Sequence, residues 1–285
     1  MRPAARLASA RRPLSTIVDS DYTELNLELD ADTKVLTVRF DREPRLNALS
    51  EVMGNEIHAL FDKLKAAPIA GDVRCVVFTG TGRAFSTGRD LKESAAHTPE
   101  DATRYLELAY SSANAFADLP MPTIAAINGP CFGWGLEAAM ACDFRMATTE
   151  AKICFPECRL GIFPGAGGVA RLCKQVPMAY AKMMVLSARV MSGTEAADAG
   201  LVAAETYDSV EELVEAAQAL AKDIAANAPL GVREAKRMFD EIEHLALKDA
   251  LEHSRAPRMA LNDTRDFKEG LTAFAEKRKP VFVGE

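Results

Sequence analysis

The sequence holds one tryptophan, four histidines and no apolar run of membrane-spanning length in its 285 residues. A spanning helix needs about 18–20 consecutive apolar residues, and no segment approaches that. His58, His97, His244 and His253 are scattered, and none lies near the cysteines Cys75, Cys131, Cys142, Cys154, Cys158 and Cys173. No cysteine pair has the Cys-x2-Cys spacing from which zinc sites are built, so the pattern predicts no metal site. The thiols read instead as small buried side chains in a reducing compartment. There is no fixed-period repeat and no low-complexity linker. No acidic residue precedes Asp19, while Arg2, Arg6, Arg11 and Arg12 alternate with alanine and serine and no apolar block intervenes. That composition predicts a mitochondrial transit peptide over residues 1–18 and a matrix location. Without those arginines the body is more acidic than the net −7 of the whole chain, which argues against nucleic-acid binding through phosphates.

What is present is the profile of a soluble globular protein, 48% hydrophobic and 26% charged, with room for one large domain or two small ones. Val35–Phe40, Arg74–Thr79, Thr123–Ile127, Phe144–Ala147 and Lys152–Phe155 read as strands. Leu49–Ala66, Pro99–Leu119, Gly135–Cys142, Val169–Val176, Ala179–Ala188 and Thr194–Ala199 have helical spacing. From Ser209 onward the pattern is almost wholly helical. Alternating strands and helices followed by helices predict α/β layers with a helical C-terminal region.

Two glutamates stand out. Glu137 is followed by the apolar run Ala138-Ala-Met-Ala-Cys142, which no solvated helix face would show. Glu157 lies twenty positions on, in Phe155-Pro156-Glu157. A carboxyl in an apolar setting has a raised pKa and can act as acid or base near neutral pH. Two turns flank the pair in sequence. Ser86-Thr-Gly88-Arg89-Asp90-Leu-Lys92 follows a strand, and Gly133-Trp134-Gly135 opens the helix carrying Glu137. Helix N-termini and glycine turns expose backbone N–H groups, and two such donors on one oxygen make an oxyanion hole. Each turn taken alone is more often just a turn. Gly165-x-Gly167-x-x-Ala170 superficially matches a dinucleotide fingerprint. No clear strand precedes it and no carboxylate lies about 20 residues on, so a glycine-lined wall is the better reading.

At this point the chain resembles the crotonase superfamily of enoyl-CoA hydratases and isomerases. The resemblance rests on Asn128-Gly129 through Glu137-Ala-Ala-Met-Ala-Cys-Asp143, Pro156-Glu157, Leu160-Gly161, Pro164-Gly165-Ala-Gly-Gly168 and Arg171-Leu172. Asn47-Ala48-Leu49, Gly193-Thr-Glu-Ala-Ala197, Ala199-Gly-Leu-Val202 and Glu276-Lys277-Arg278 extend it in register. It implies an α/β spiral of repeated ββα units over 19–208 and a helical trimerisation region over 209–285, assembled as a trimer or dimer of trimers. It implies an acyl-CoA thioester as substrate, with no cofactor besides the coenzyme A that belongs to that substrate. The thioester oxygen would lie between the N–H groups of Arg89 and Trp134. Glu137 would activate water and Glu157 would deliver a proton to the α-carbon. Ser86, Gly88, Asp90, Lys92 and Gly133 would border the substrate, and Lys277 and Lys279 would lie near the CoA phosphates.

The resemblance points to an enoyl-CoA hydratase of fatty-acid or branched-chain amino-acid breakdown. Δ3,Δ2-enoyl-CoA isomerisation by Glu157 alone is the alternative. Glycine at 165, where dienoyl-CoA isomerases and 3-hydroxyisobutyryl-CoA hydrolases carry aspartate, argues against both. Family hydratases usually have a small residue at 89 and glycine at 134. The arginine and tryptophan here motivate a third reading, a catalytically weak acyl-CoA-binding protein. Trp134 has three possible placements: against the acyl chain, walling off the pocket, or packed into the core. Arg89 is able to meet a CoA phosphate, a carboxylated acyl group or solvent.

Overall fold

A computed structural model describes residues 21–66 and 73–285. The transit-peptide expectation for residues 1–18 lies outside them. The chain runs β1 (Leu25–Asp30), β2 (Val35–Phe40), α1 (Glu51–Lys65), β3 (Cys75–Gly80), α2 (Leu91–Ala96), α3 (Pro99–Ala115), β4 (Thr123–Ile127), β5 (Cys131–Phe132) and α4 (Trp134–Ala141). It continues with β6 (Phe144–Thr148), β7 (Lys152–Cys154), α5 (Gly168–Gln175), α6 (Met178–Ser187), β8 (Met191–Ser192), α7 (Gly193–Asp198) and β9 (Thr206–Tyr207). Four helices follow: α8 (Val210–Ala225), α9 (Pro229–Ile242), α10 (Leu247–Ala260) and α11 (Arg265–Glu276).

Six strands form one sheet in the order β1-β2-β3-β4-β6-β9, parallel except for the antiparallel β1–β2 pair. A smaller sheet joins β5, β7 and β8. The strands β2, β3 and β4 read as unbroken apolar runs because both of their faces are covered. On one face Leu36, Val38, Val76, Phe78, Ala125 and Ile127 join a core with Met53, Ile57, Leu60 and Phe61 of α1. On the other, Val35, Cys75, Val77, Ile124 and Ala126 meet Leu213, Ala217, Ala221 and Ala225, spaced four apart along one stripe of α8. The expected small buried thiols are found in Cys75, Cys131, Cys142 and Cys154; Cys158 is half-buried and Cys173 exposed.

The helical stretch from Ser209 divides by its packing. α8 completes the sheet's second core, whereas α9–α11 bury only Pro229, Asp266 and Ala273. Their apolar side chains Phe239, Leu251 and Phe274 stand in solvent, Phe274 at 86% exposure. β1, absent from the sequence reading, is an edge strand whose outward positions are acidic and polar. No helix among the described residues is long and apolar enough to cross a membrane.

Candidate active site

Every residue of α4 is buried, which explains why the helix has no polar face. Glu137 sits in its first turn at 4% exposure. Its Oε1 accepts a hydrogen bond from the backbone N–H of Gly168, at 3.0 Å, where α5 begins. Desolvation raises its pKa, opposed by the N–H groups of Gly168 and Ala166 and by the charges of Arg171 and Arg89. The carboxylate thus faces fixed donors while remaining a stronger base than a surface glutamate.

Glu157 opens the short 3-10 turn Glu157–Leu160, directly after Pro156. Its pKa is pushed up to about 7, first by desolvation and further by the charge of Glu137, with Arg89 opposing. Its Oε2 is buried without a hydrogen-bond partner. A buried carboxyl oxygen without a donor favours the protonated acid. The two groups therefore differ in kind. Glu137 has an N–H partner for its charge, and Glu157 holds a proton to near neutrality. Pairs split in this way are the usual acid–base assignment of a proton-transfer site.

The two turns come together beside them. Gly88 has φ +92° and Gly133 φ +50°, both in the left-handed region that glycine tolerates. A Cβ on Gly88 would stand 3.6 Å from the Trp134 nitrogen, and one on Gly133 would stand 2.9 Å from Glu157 Oε1. The turns touch only because both lack side chains. Leu49 and Asp90 use the strand-like bonding around Arg89, Leu49 N donating to Gly88 O and Asp90 N to Leu49 O. The Arg89 N–H is left over. The Trp134 N–H is the first of its helix, where no intrahelical acceptor exists. Among the described residues neither amide donates to a protein acceptor. Two unclaimed donors beside a split carboxyl pair are suited to stabilising negative charge on a carbonyl oxygen while a proton moves at its α-carbon.

Of the three placements open to Trp134, the structure takes the third. The indole is 2% exposed, packs edge-on against Phe40 and Phe116, and donates from Nε1 to Ser112 Oγ at 3.1 Å. Two of the residues expected to border the substrate use their side chains within the protein. Asp90 pairs with Arg42 at 2.8 Å and caps α2 by accepting from Lys92 N and Glu93 N. Ser86 is fully buried and accepts from Gly88 N. Their chemistry shapes the loop because every oxygen of the Asp90 carboxylate and the Ser86 hydroxyl already has a protein partner. Lys92, Lys277 and Lys279 are exposed and form no ion pair among the described residues; Arg278 between the last two binds Glu269 and Glu276. A cavity of about 600 Å³ lined by Arg83, Thr87, Asn128, Phe132, Lys152 and Asp208 borders the two turns but is lined by neither Glu137 nor Glu157.

Two contributors escaped sequence reasoning. Gly168, part of the expected glycine-lined wall, also donates to Glu137 and has space for no more than hydrogen: a Cβ there would meet Glu137 Oε1 at 3.0 Å. Arg171, one turn along the same helix, places a second cation near Glu137. The only available signal was the helix start at Gly167-Gly168.

The family described as enoyl-CoA hydratase/isomerase matches residues 30–285. An enoyl-CoA isomerase/hydratase of Mycosarcoma maydis is 36% identical over 213 residues, 74% of this chain and 77% of that protein. The mitochondrial methylglutaconyl-CoA hydratase of Mus musculus is 33% identical over 285 residues, 99% of this chain and 90% of that protein. The crystal structure of an enoyl-CoA hydratase from Bacillus anthracis superposes with a TM-score of 0.86 at 34% identity, covering 92% of this chain and all of that one. The α/β spiral, the match along nearly the whole body and the level of identity lead to one conclusion: the chain belongs to the enoyl-CoA hydratase/isomerase family, within the crotonase superfamily of acyl-CoA enzymes.

Proposed function

We propose that the protein is an enoyl-CoA hydratase, adding water reversibly across the 2,3 double bond of a 2-enoyl-CoA. The observation that carries this reading is the split pair: Glu137 held by the Gly168 N–H, and Glu157 raised to about 7. The thioester oxygen lies between the N–H groups of Arg89 and Trp134. Glu137 takes a proton from water as its oxygen bonds to the β-carbon. The π electrons pass to the thioester as an enolate, held by the two N–H groups, each worth roughly 3–4 kcal/mol at the transition state. Glu157 then gives its proton to the α-carbon. The proton on Glu137 passes back to Glu157, which closes the cycle with one water added. The reaction uses no resident metal or redox group, since coenzyme A is part of the substrate.

Gly88 and Gly133 supply the close approach of the turns, and Lys92, Lys277 and Lys279 are free to meet CoA phosphates. The name of the mouse relative supports a mitochondrial matrix location, and the exposed apolar face of α9–α11 supports a trimer or dimer of trimers. Isomerisation is the second reading, favoured by the unpartnered Oε2 of Glu157, which alone can shuttle a proton between carbons. The placement of the Trp134 indole in the core removes half the motive for a catalytically weak acyl-CoA binder.

Glu137→Gln separates the two activities. Hydration of crotonyl-CoA by the purified variant is expected to fall by about 10²–10⁴-fold, while conversion of a 3-enoyl-CoA to the 2-enoyl isomer persists. Undiminished hydration removes Glu137 from the mechanism. Wild-type isomerisation without hydration transfers the assignment to the isomerase.

A further inference from the structure

The Arg89 guanidinium is half-buried, with its Cζ 5.8 Å from the centre of the Tyr105 ring. Tyr105 cannot yield, being 1% exposed with its hydroxyl bonded to Leu49 O and accepting from Asp90 N. The arginine therefore rests on a fixed aromatic platform. Among the described residues its side chain makes no hydrogen bond and no ion pair, although its charge acts on both Glu137 and Glu157. His97 packs edge-on against the same ring at 4.9 Å, and its Nδ1 is buried without a partner. The guanidinium and a histidine nitrogen thus flank one tyrosine, neither with a protein hydrogen-bond partner among the described residues.

The half-buried guanidinium keeps part of its water, and a neutral alkyl tail laid against it would strip that water without offering an anion in return. A CoA phosphate is out of reach. Arg89 supplies its backbone N–H to the thioester oxygen, so its side chain is anchored at the reacting end, and the pantetheine arm holds the phosphates far beyond an arginine's length. The other end of a short acyl chain is within that length. A carboxylate there would be repelled by the charge of Glu137 unless a cation offset it, and Arg89, whose charge acts on Glu137, is placed to do so.

We propose that Arg89 is a specificity residue whose guanidinium binds a carboxylate at the far end of the acyl chain, making a short dicarboxylic acyl-CoA the preferred substrate class. This rests on the acyl-CoA reading above but not on hydration. The test is therefore binding of unreactive saturated thioesters, measured by calorimetry on the full chain: glutaryl-CoA, butyryl-CoA and free coenzyme A. Glutaryl-CoA is expected to bind about tenfold or more tighter than butyryl-CoA. Arg89→Met abolishes that advantage, and Arg89→Lys retains part of it. Equal affinities in the wild type, or an advantage that survives Arg89→Met, overturn the proposal. So does an Arg89→Met loss shared equally by all three ligands, which assigns the arginine to the coenzyme. Should the methionine variant not fold, the wild-type comparison and the lysine variant still decide. Absence of hydration of both crotonyl-CoA and glutaconyl-CoA alongside a glutaryl-CoA preference refutes the hydratase reading while leaving the arginine's role in place.

Discussion

Glu157 links chemistry to stability through one proton. Its folded-state pKa near 7 lies above the ordinary 4.5, so the native state binds more protons than the unfolded state between those values. The stability it contributes is present below about 4.5 and is lost as pH rises through about 7. Glu157→Gln carries no such charge. Its melting temperature, measured against wild type by calorimetry from pH 5 to 8, is expected to gain on wild type as pH rises to about 7 and then to level off, by about 2–4 °C for each kcal/mol relieved. A constant difference across that range would mean that Glu157 does not titrate there. In the proposed hydration this proton is the one delivered, so kcat/KM should fall as pH rises through about 7, with Glu137 and Glu157 titrating as a coupled pair. Trp134 provides an independent reading at this scale. Its buried indole predicts blue-shifted emission that acyl-CoA leaves in place even when calorimetry shows binding. Trp134→Phe removes the bond to Ser112 and should cost about 1–3 kcal/mol of stability, while the backbone donor survives.

At the scale of elements, the apolar strands and helices of the first two thirds are legible in the sequence to within a few residues, because burial on both faces imposes unbroken runs and helical stripes. β1 was missed because an edge strand keeps a polar outer row. In the candidate site the glutamates and both glycine turns are legible, since Glu137 precedes an apolar run and glycines punctuate the chain. The direction of a side chain is not. Nothing local tells that Asp90 turns to Arg42, or that Trp134 turns to Phe40 and Ser112, because those partners come from distant segments. The Gly133 turn carries the sharpest prediction here. Gly133→Ala forces a side chain onto φ +50° and sets its Cβ against Glu157 Oε1. Crotonyl-CoA hydration is expected to fall on the order of 10²-fold in a protein whose circular dichroism still shows the native fold. Full activity in that variant would separate the turn from the chemistry.

For the whole molecule, α9–α11 leave Phe239, Leu251 and Phe274 exposed in the single chain, and the proposed trimer or dimer of trimers would cover them. Light scattering should give a mass that is a multiple of three chains, and Phe274→Asp should shift it toward one. A wild-type monomer at micromolar concentration would refute that assembly. The central claim is that Glu137 and Glu157 work as one unit on one water, and a double-mutant cycle tests it most directly. The measurement is kcat/KM for crotonyl-CoA hydration by wild type, Glu137→Gln, Glu157→Gln and the double variant. Each single change is expected to cost about 10²–10⁴-fold, and the double variant little more than the worse single. Single losses that multiply in the double variant, or a single variant with wild-type hydration, would contradict the paired mechanism.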